Sequence, residues 1–129
     1  MIRKFTWKEF DECVHKVSVR YKNITLSGIY GIPRGGLCIA VALSHKLNLV
    51  MHTSPQKGSL IVDDIYDSGL TLNNLKGIEG AQYCVFFSKA KPTWWKTIHL
   101  ADKKDWIVFP WEDYSNVYND QNDYNLKRN

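Results

Sequence analysis

The chain has 129 residues, room for one domain built on a single core. Hydrophobic residues at 44% and charged residues at 23% exclude a disordered chain, and no apolar run reaches the roughly 20 residues of a membrane-spanning helix. A formal charge of +4 suits an anionic small ligand and weak nucleic-acid contact equally, so charge does not separate those two.

Three cysteines, Cys13, Cys38 and Cys84, are widely spaced, odd in number and set among apolar residues, the pattern of reduced core thiols. The first residues lack the apolar stretch of a signal peptide. Together these features lead us to expect a cytoplasmic protein without membrane contact. No CxxC pair or histidine cluster marks a metal site of its own, and there are neither internal repeats nor an interdomain linker.

In chain order, residues 6–21 read as an amphipathic helix. Thr6-Trp7-Lys8-Glu9 is a capping box, and Phe10, Cys13, Val14 and Val17 recur at helical spacing. His15 lies near that stripe and is assigned no role. Residues 24–30 read as a strand, Gly31-Ile32-Pro33-Arg34-Gly35-Gly36 as a glycine loop, and residues 37–47 as a helix apolar on most of its surface. Strand, glycine loop, helix is an order that lets backbone N–H groups approach a phosphate, with Arg34 adding a fixed charge. A tight turn carrying a surface arginine has the same local pattern. A short strand is expected at 49–52, and a polar connection with Pro55 and Gly58 at 53–59.

The most informative run is Leu60-Ile61-Val62-Asp63-Asp64-Ile65-Tyr66-Asp67-Ser68-Gly69-Leu70-Thr71. A β-branched strand apolar on both faces suits the centre of a parallel sheet, where ligands bind beyond the carboxyl ends of the strands. Asp63 and Asp64 then stand where a ligand would be. Two adjacent carboxylates can accept from vicinal ribose hydroxyls or hold the waters of a Mg²⁺, while Ser68, Gly69 and Thr71 offer hydroxyls and backbone N–H groups to a phosphate.

This run resembles the phosphoribosyl-pyrophosphate (PRPP) binding motif of the type I phosphoribosyltransferases, in which two acids close a strand and a third precedes Thr/Ser-Gly-x-Thr/Ser. The resemblance implies an α/β domain over 1–112 with a mostly parallel sheet flanked by helices, followed by a polar C-terminal tail at 113–129. It implies PRPP binding by Arg34, Gly35, Gly36, Asp63, Asp64, Ser68, Gly69, Leu70 and Thr71, with Mg²⁺ held through Asp63 and Asp64. Asp67 would assist base deprotonation as the catalytic residue. The glycine loop is similar to the Ser-Arg-Gly-Gly loop of the xanthine-guanine enzymes, with Pro33 in the serine position. In this family the peptide before the pyrophosphate-binding residue is often cis, which here is Pro33–Arg34.

Further along, residues 72–75 give a brief helix ended by Gly77 and Gly80, and 83–87 a strand. Ala90-Lys91-Pro92 and Trp106-Ile107-Val108-Phe109-Pro110-Trp111-Glu112 resemble the purine pocket of the xanthine-guanine enzymes, with an Ala-Lys-Pro and a Trp-Ile-x-x-Pro-Trp-Asp. That implies Lys91 on the 6-oxo group, Trp106 stacked on the ring and Ile107 beside it. Lys89 is a rival, because Lys91 lies closer in sequence to Trp106 than the family's spacing. Trp106 and Trp111, like any single tryptophan, also read as core or interface packing.

The activity implied is transfer of 5-phosphoribose from PRPP to a 6-oxopurine, guanine, xanthine or hypoxanthine, in purine salvage. The chain departs from the family at 53–59. Most members have a long flexible loop there that closes over the reacting centre, and about ten residues cannot form one. A non-catalytic PRPP- or nucleotide-binding regulator of the same fold is therefore the alternative. With no helix-turn-helix or RNA-recognition module attached, nucleic acid is not an expected partner. A homo-oligomer is expected, to cover the site, with Trp94-Trp95 as a candidate exposed contact.

Overall fold

In the computed structural model, which describes residues 1–113 and 115, the chain runs β1 (Ile2–Lys4), α1 (Trp7–Tyr21), β2 (Gly28–Gly31), α2 (Gly35–Leu47), β3 (Ser59–Tyr66), the single turn α3 (Leu70–Asn73), β4 (Gln82–Ser88), β5 (Lys96–Leu100) and β6 (Trp106–Val108). Strands β2-β3-β4-β5 make a four-stranded sheet and β1-β6 a two-stranded one, and all these pairings are parallel. The expected α/β class with a mostly parallel sheet is what the chain adopts.

The interior follows from the apolar run. Along β3 the side chains alternate between two clusters: Leu60 and Val62 pack with α1 and α2 residues such as Val17 and Leu43, while Ile61 packs with Leu72, Val85 and Trp95. Both faces of the strand are covered, so it reads as continuously apolar instead of alternating. Helix α1 starts at the capping box. Glu9 N–H donates to Thr6 Oγ1 (3.1 Å) and Thr6 N–H to Glu9 Oε1 (3.2 Å), and the helix buries Phe10, Cys13, Val14, Val17 and Tyr21. Burial pushes the Cys13 thiol up to about 11 and the Cys84 thiol up to about 12, so both stay protonated as core groups.

Several boundaries differ from expectation. The strand foreseen at 24–30 is only Gly28–Gly31, because Ile24 N–H donates to Tyr21 O (3.1 Å) and the chain is still turning off α1. The strand foreseen at 49–52 is a single bridge, Ile29 to Met51, on the outer edge of β2. Strand β3 does not stop before the acids. Pairing continues to Ile65–Phe87 and Tyr66–Ser88, so Asp63 and Asp64 project from the strand itself. Strands β1, β5 and β6 were not foreseen.

Trp94-Trp95 is not an exposed pair. Trp95 is 4% exposed, stacks on Tyr66 (centroids 3.9 Å, planes 10° apart) and donates its indole N–H to Ser88 Oγ (3.2 Å). Half-buried Trp94 meets Tyr83 edge-on at 5.0 Å. The two rings close one face of the sheet, where an apolar cluster otherwise lacked a cover. The tail expected at 113–129 lies, apart from Asp113 and Ser115, outside the described residues.

Candidate active site

A cavity of about 290 Å³ lies at the carboxyl ends of β2, β3 and β4, where a parallel sheet presents ligands. Its floor is the end of β3 with Asp63 and Asp64. Its second wall is the loop after β3, with Asp67, Ser68, Gly69 and Thr71. Pro33 and Gly35, at the start of α2, form a third side, and Trp106, Ile107, Phe109 and Glu112 come from β6 and the turn beyond it. Lys89, just past β4, completes the lining on the Asp67 side.

The carboxylates are close to the glycine loop. A Cβ on Gly35 would fall on the Asp64 carboxyl, so only glycine lets the α2 start approach β3 this closely. The preceding Pro33–Arg34 peptide is cis, as the family resemblance implied. Asp63 Oδ1 accepts from Asp64 N–H and Asp64 Oδ1 from Ile65 N–H, both at 2.8 Å. Burial holds the Asp63 carboxyl well above the usual carboxylate range, and the adjacent Asp64 charge adds to that; burial raises Asp64 as well. Across the loop, Gly69 has φ +84°, and a Cβ there would meet the Tyr66 hydroxyl. Tyr66, itself pinned on Trp95, thus sets the shape of the 68–71 loop.

Just past β4, Lys89 Nζ lies 3.1 Å from Asp67 Oδ2, with the two side chains only 8% and 16% exposed. Lys89 N–H donates to Tyr66 O (2.9 Å), extending the β3–β4 ladder by one residue beside Asp67. Ser88 Oγ then donates to Ala90 O (2.6 Å) and the chain bends away. Lys91 is accordingly exposed and outside the cavity, and the amine at this wall belongs to Lys89. Arg34 and Leu70 are also exposed and do not line the cavity, and Gly36 is buried in the first turn of α2, against β3. Arg34 nevertheless borders the lining residues Pro33 and Gly35 in sequence. Trp111 stacks on Phe109 (centroids 5.0 Å, planes 8° apart) and packs on Phe10, so it is a packing residue. Tyr66, Phe109 and Glu112 are lining residues that motif reading did not assign, and of the rivals Lys89 and Lys91 it is Lys89 that lines the cavity.

Among the described residues no group of three or more histidines, cysteines, aspartates or glutamates gathers as a metal cage. Asp63 and Asp64 are instead a pair of oxygen donors, the number Mg²⁺ takes when substrate phosphates and water complete its shell. Carboxyls that burial has pushed toward neutrality regain their charge beside a dication, so the pair fits that ion.

The raised Asp63 pKa has a stability consequence. The native carboxyl binds a proton more readily than an unfolded one near pH 3.9, so ionising it costs stability as pH rises from about 4 through the raised native value. Asp63→Asn keeps the acceptor for Asp64 N–H and removes the charge. Its melting temperature is expected to exceed that of the unsubstituted protein by on the order of a few degrees at pH 7, with the gap closing toward pH 4. Thermal melts across that range check this; a variant less stable at neutral pH contradicts it.

No family model matches the sequence, and neither does any curated protein sequence. Solved structures do match. A purine phosphoribosyltransferase from Pyrococcus horikoshii superposes with TM-score 0.75 at 24% identity, covering 88% of this chain and 95% of that one. A Helicobacter pylori xanthine-guanine-hypoxanthine phosphoribosyltransferase gives TM-score 0.72 at 19% identity with both chains fully covered. A hypothetical protein from Neisseria gonorrhoeae with bound ppGpp gives 0.65 at 16%, covering 94% and 96%. The chain has the type I phosphoribosyltransferase fold.

Proposed function

We propose that the protein transfers 5-phosphoribose from PRPP to N9 of a 6-oxopurine and releases pyrophosphate. The observation that carries this reading is the convergence, in one cavity, of the acidic end of β3, the 68–71 loop and a base-side wall made of Lys89, Asp67 and Trp106. The purine phosphoribosyltransferases of the same fold support it.

In this reading Ser68, Gly69 and Thr71 bind the 5′-phosphate through hydroxyls and loop N–H groups, and the start of α2 with Arg34 takes the diphosphate. Asp63 and Asp64 accept from the ribose hydroxyls and hold Mg²⁺, which when bound offsets the charge of the leaving diphosphate. Trp106 stacks on the purine. Lys89 has three N–H donors, enough for Asp67 and a 6-oxo oxygen together, and adenine would turn an amino donor toward it. Asp67 accepts the proton that the base gives up as C1′ is transferred.

None of residues 53–58 lines the cavity, so the segment that replaces the family's long loop does not wall the reacting centre. An oxocarbenium-like centre reached by water is captured by it. We expect the protein, assayed with PRPP, Mg²⁺ and a panel of bases, to form nucleotide and pyrophosphate together with some ribose 5-phosphate. The hydrolytic share should rise on dilution if a second copy supplies cover. Absence of nucleotide with every base overturns the transfer reading, and hydrolysis-free transfer by a demonstrated monomer overturns the expectation about water.

The open site and the ppGpp-bound neighbour favour a second reading, a nucleotide-binding regulator without turnover. Tight binding of a guanine nucleotide with no product formed would select it.

A further inference from the structure

The 68–71 loop does not hold its own shape. Its helical part is the single turn Leu70–Asn73, without a side-chain cap, and a helix that short has no stability in isolation. Two contacts fix it. Leu72 is buried among Ile61, Val85 and Trp95, and Gly69, buried at φ +84°, lies against the phenol end of Tyr66, where a Cβ would collide with the hydroxyl and the ring. The same hydroxyl reaches the far end of the turn, 3.5 Å from Asn73 Oδ1, a long hydrogen bond.

Tyr66 has little room to yield. Its ring lies flat on Trp95, and Trp95 is itself tied through its indole N–H to Ser88 Oγ at the end of β4. Rigid contacts therefore run from the buried tryptophan through the Tyr66 ring to both Gly69 and Asn73. The main chain of Tyr66 acts separately: its C=O accepts from Lys89 N–H (2.9 Å), a bond that a change of side chain does not remove.

We propose that Tyr66 is a positioning residue for the 5′-phosphate: clamped on Trp95, its hydroxyl end props Gly69 and Asn73 and holds the 68–71 loop in the shape that presents Ser68, Thr71 and the loop N–H groups to one phosphate. This rests on the reading of 68–71 as the phosphate loop and deepens it. Binding to a loop already held in shape carries no ordering cost, and a loop released from its prop must order itself around the ligand at the expense of affinity. The start of α2, which would take the diphosphate, has no contact with the Tyr66 hydroxyl among those described, so the effect is confined to one end of the substrate.

The test is calorimetric titration, with Mg²⁺ present, of inosine 5′-monophosphate, which carries the 5′-phosphate, and of inorganic pyrophosphate, which probes the start of α2. Tyr66→Phe keeps the stacked ring and removes the hydroxyl. It is expected to bind the nucleotide about three- to tenfold more weakly, the scale of one lost hydrogen bond, with pyrophosphate affinity unchanged. Gly69→Ala gives a second readout. Beside Tyr66 the added methyl group has no space, whereas in a Tyr66→Leu background the hydroxyl and outer ring atoms are gone and only the left-handed strain of the alanine remains. The loss of nucleotide affinity on Gly69→Ala should therefore be at least about tenfold larger with Tyr66 present than with leucine there. Should Tyr66→Leu unfold, the Tyr66→Phe comparison decides alone. An unchanged nucleotide affinity in Tyr66→Phe overturns the proposal, as does an equal weakening of pyrophosphate or a strictly additive effect of the two positions. Failure of the unsubstituted protein to bind the nucleotide overturns it together with the phosphate-loop reading. The expected split without nucleotide formation from PRPP leaves Tyr66 its role and removes only the transfer reaction.

Discussion

Asp67→Asn is expected to lower the rate of nucleotide formation by about 10²–10⁴ while leaving PRPP binding nearly intact. The two effects separate because of where Asp67 stands. Ser68, Gly69 and Thr71, proposed to meet the phosphate, follow it in the loop, and Asp63 and Asp64, proposed to meet the ribose, precede it on β3, while Asp67 itself pairs with the amine of Lys89 at 3.1 Å. Asparagine keeps the size of the side chain and its acceptor oxygen but cannot take a proton. It also leaves the Lys89 ammonium, 8% exposed, without its anionic partner. Some rise in KM for the base is therefore expected beside the loss in kcat, since Lys89 is the group proposed to meet the 6-oxo oxygen. Saturation kinetics in base and PRPP, with calorimetric PRPP binding alongside, separate these effects. An unchanged kcat would remove Asp67 from the chemistry.

The parts of the site legible in the sequence are those that depend on local order. A β-branched run ending in Asp63-Asp64 and followed by Ser68-Gly69-Leu70-Thr71 states a strand and its phosphate loop without any long-range information. The capping box at Thr6–Glu9 does the same for α1. What was not legible depends on register between distant segments. Strand β5 reads Lys-Thr-Ile-His-Leu and is held by Cys84–Lys96 and Phe87–His99 pairing with β4, and β1 exists only because Ile2 and Lys4 meet Trp106 and Val108. Three- to five-residue strands of mixed polarity carry too little pattern to announce themselves. The lysine at the base wall was likewise a matter of one hydrogen bond. Ladder pairing keeps Lys89 beside Asp67, and the Ser88 hydroxyl on Ala90 O turns Lys91 outward. Glu112 had a readable signal in the Phe-Pro-Trp-Glu turn, but its place on the cavity required β6 to pair with β1.

Trp95→Ala is expected to destabilise the fold by about 3–5 kcal/mol, the range for deleting a buried large aromatic side chain. Against the roughly 5–15 kcal/mol typical of a whole domain, that is about a fifth of the stability or more. The loss has three sources. The indole fills the space between Tyr66, Trp94 and the Ile61–Val85 cluster, and its removal leaves a cavity that neighbouring rings fill only in part. The stack on Tyr66 adds about 0.5–1.5 kcal/mol beyond burial. The indole N–H also donates to Ser88 Oγ, which in turn donates to Ala90 O, so the tryptophan steadies the bend that presents Lys89. Trp95→Phe keeps most of the volume and loses the hydrogen bond, and should cost about 0.5–1.5 kcal/mol more than the change in size alone. Denaturant titration with unchanged m-value measures both. Because Tyr66 and Lys89 line the cavity on either side of Asp67, the surviving folded fraction of Trp95→Ala should also show weaker base binding. A loss below about 1 kcal/mol, with base binding unaltered, would mean that Trp95 behaves as a surface residue and that the wall of the site does not depend on it.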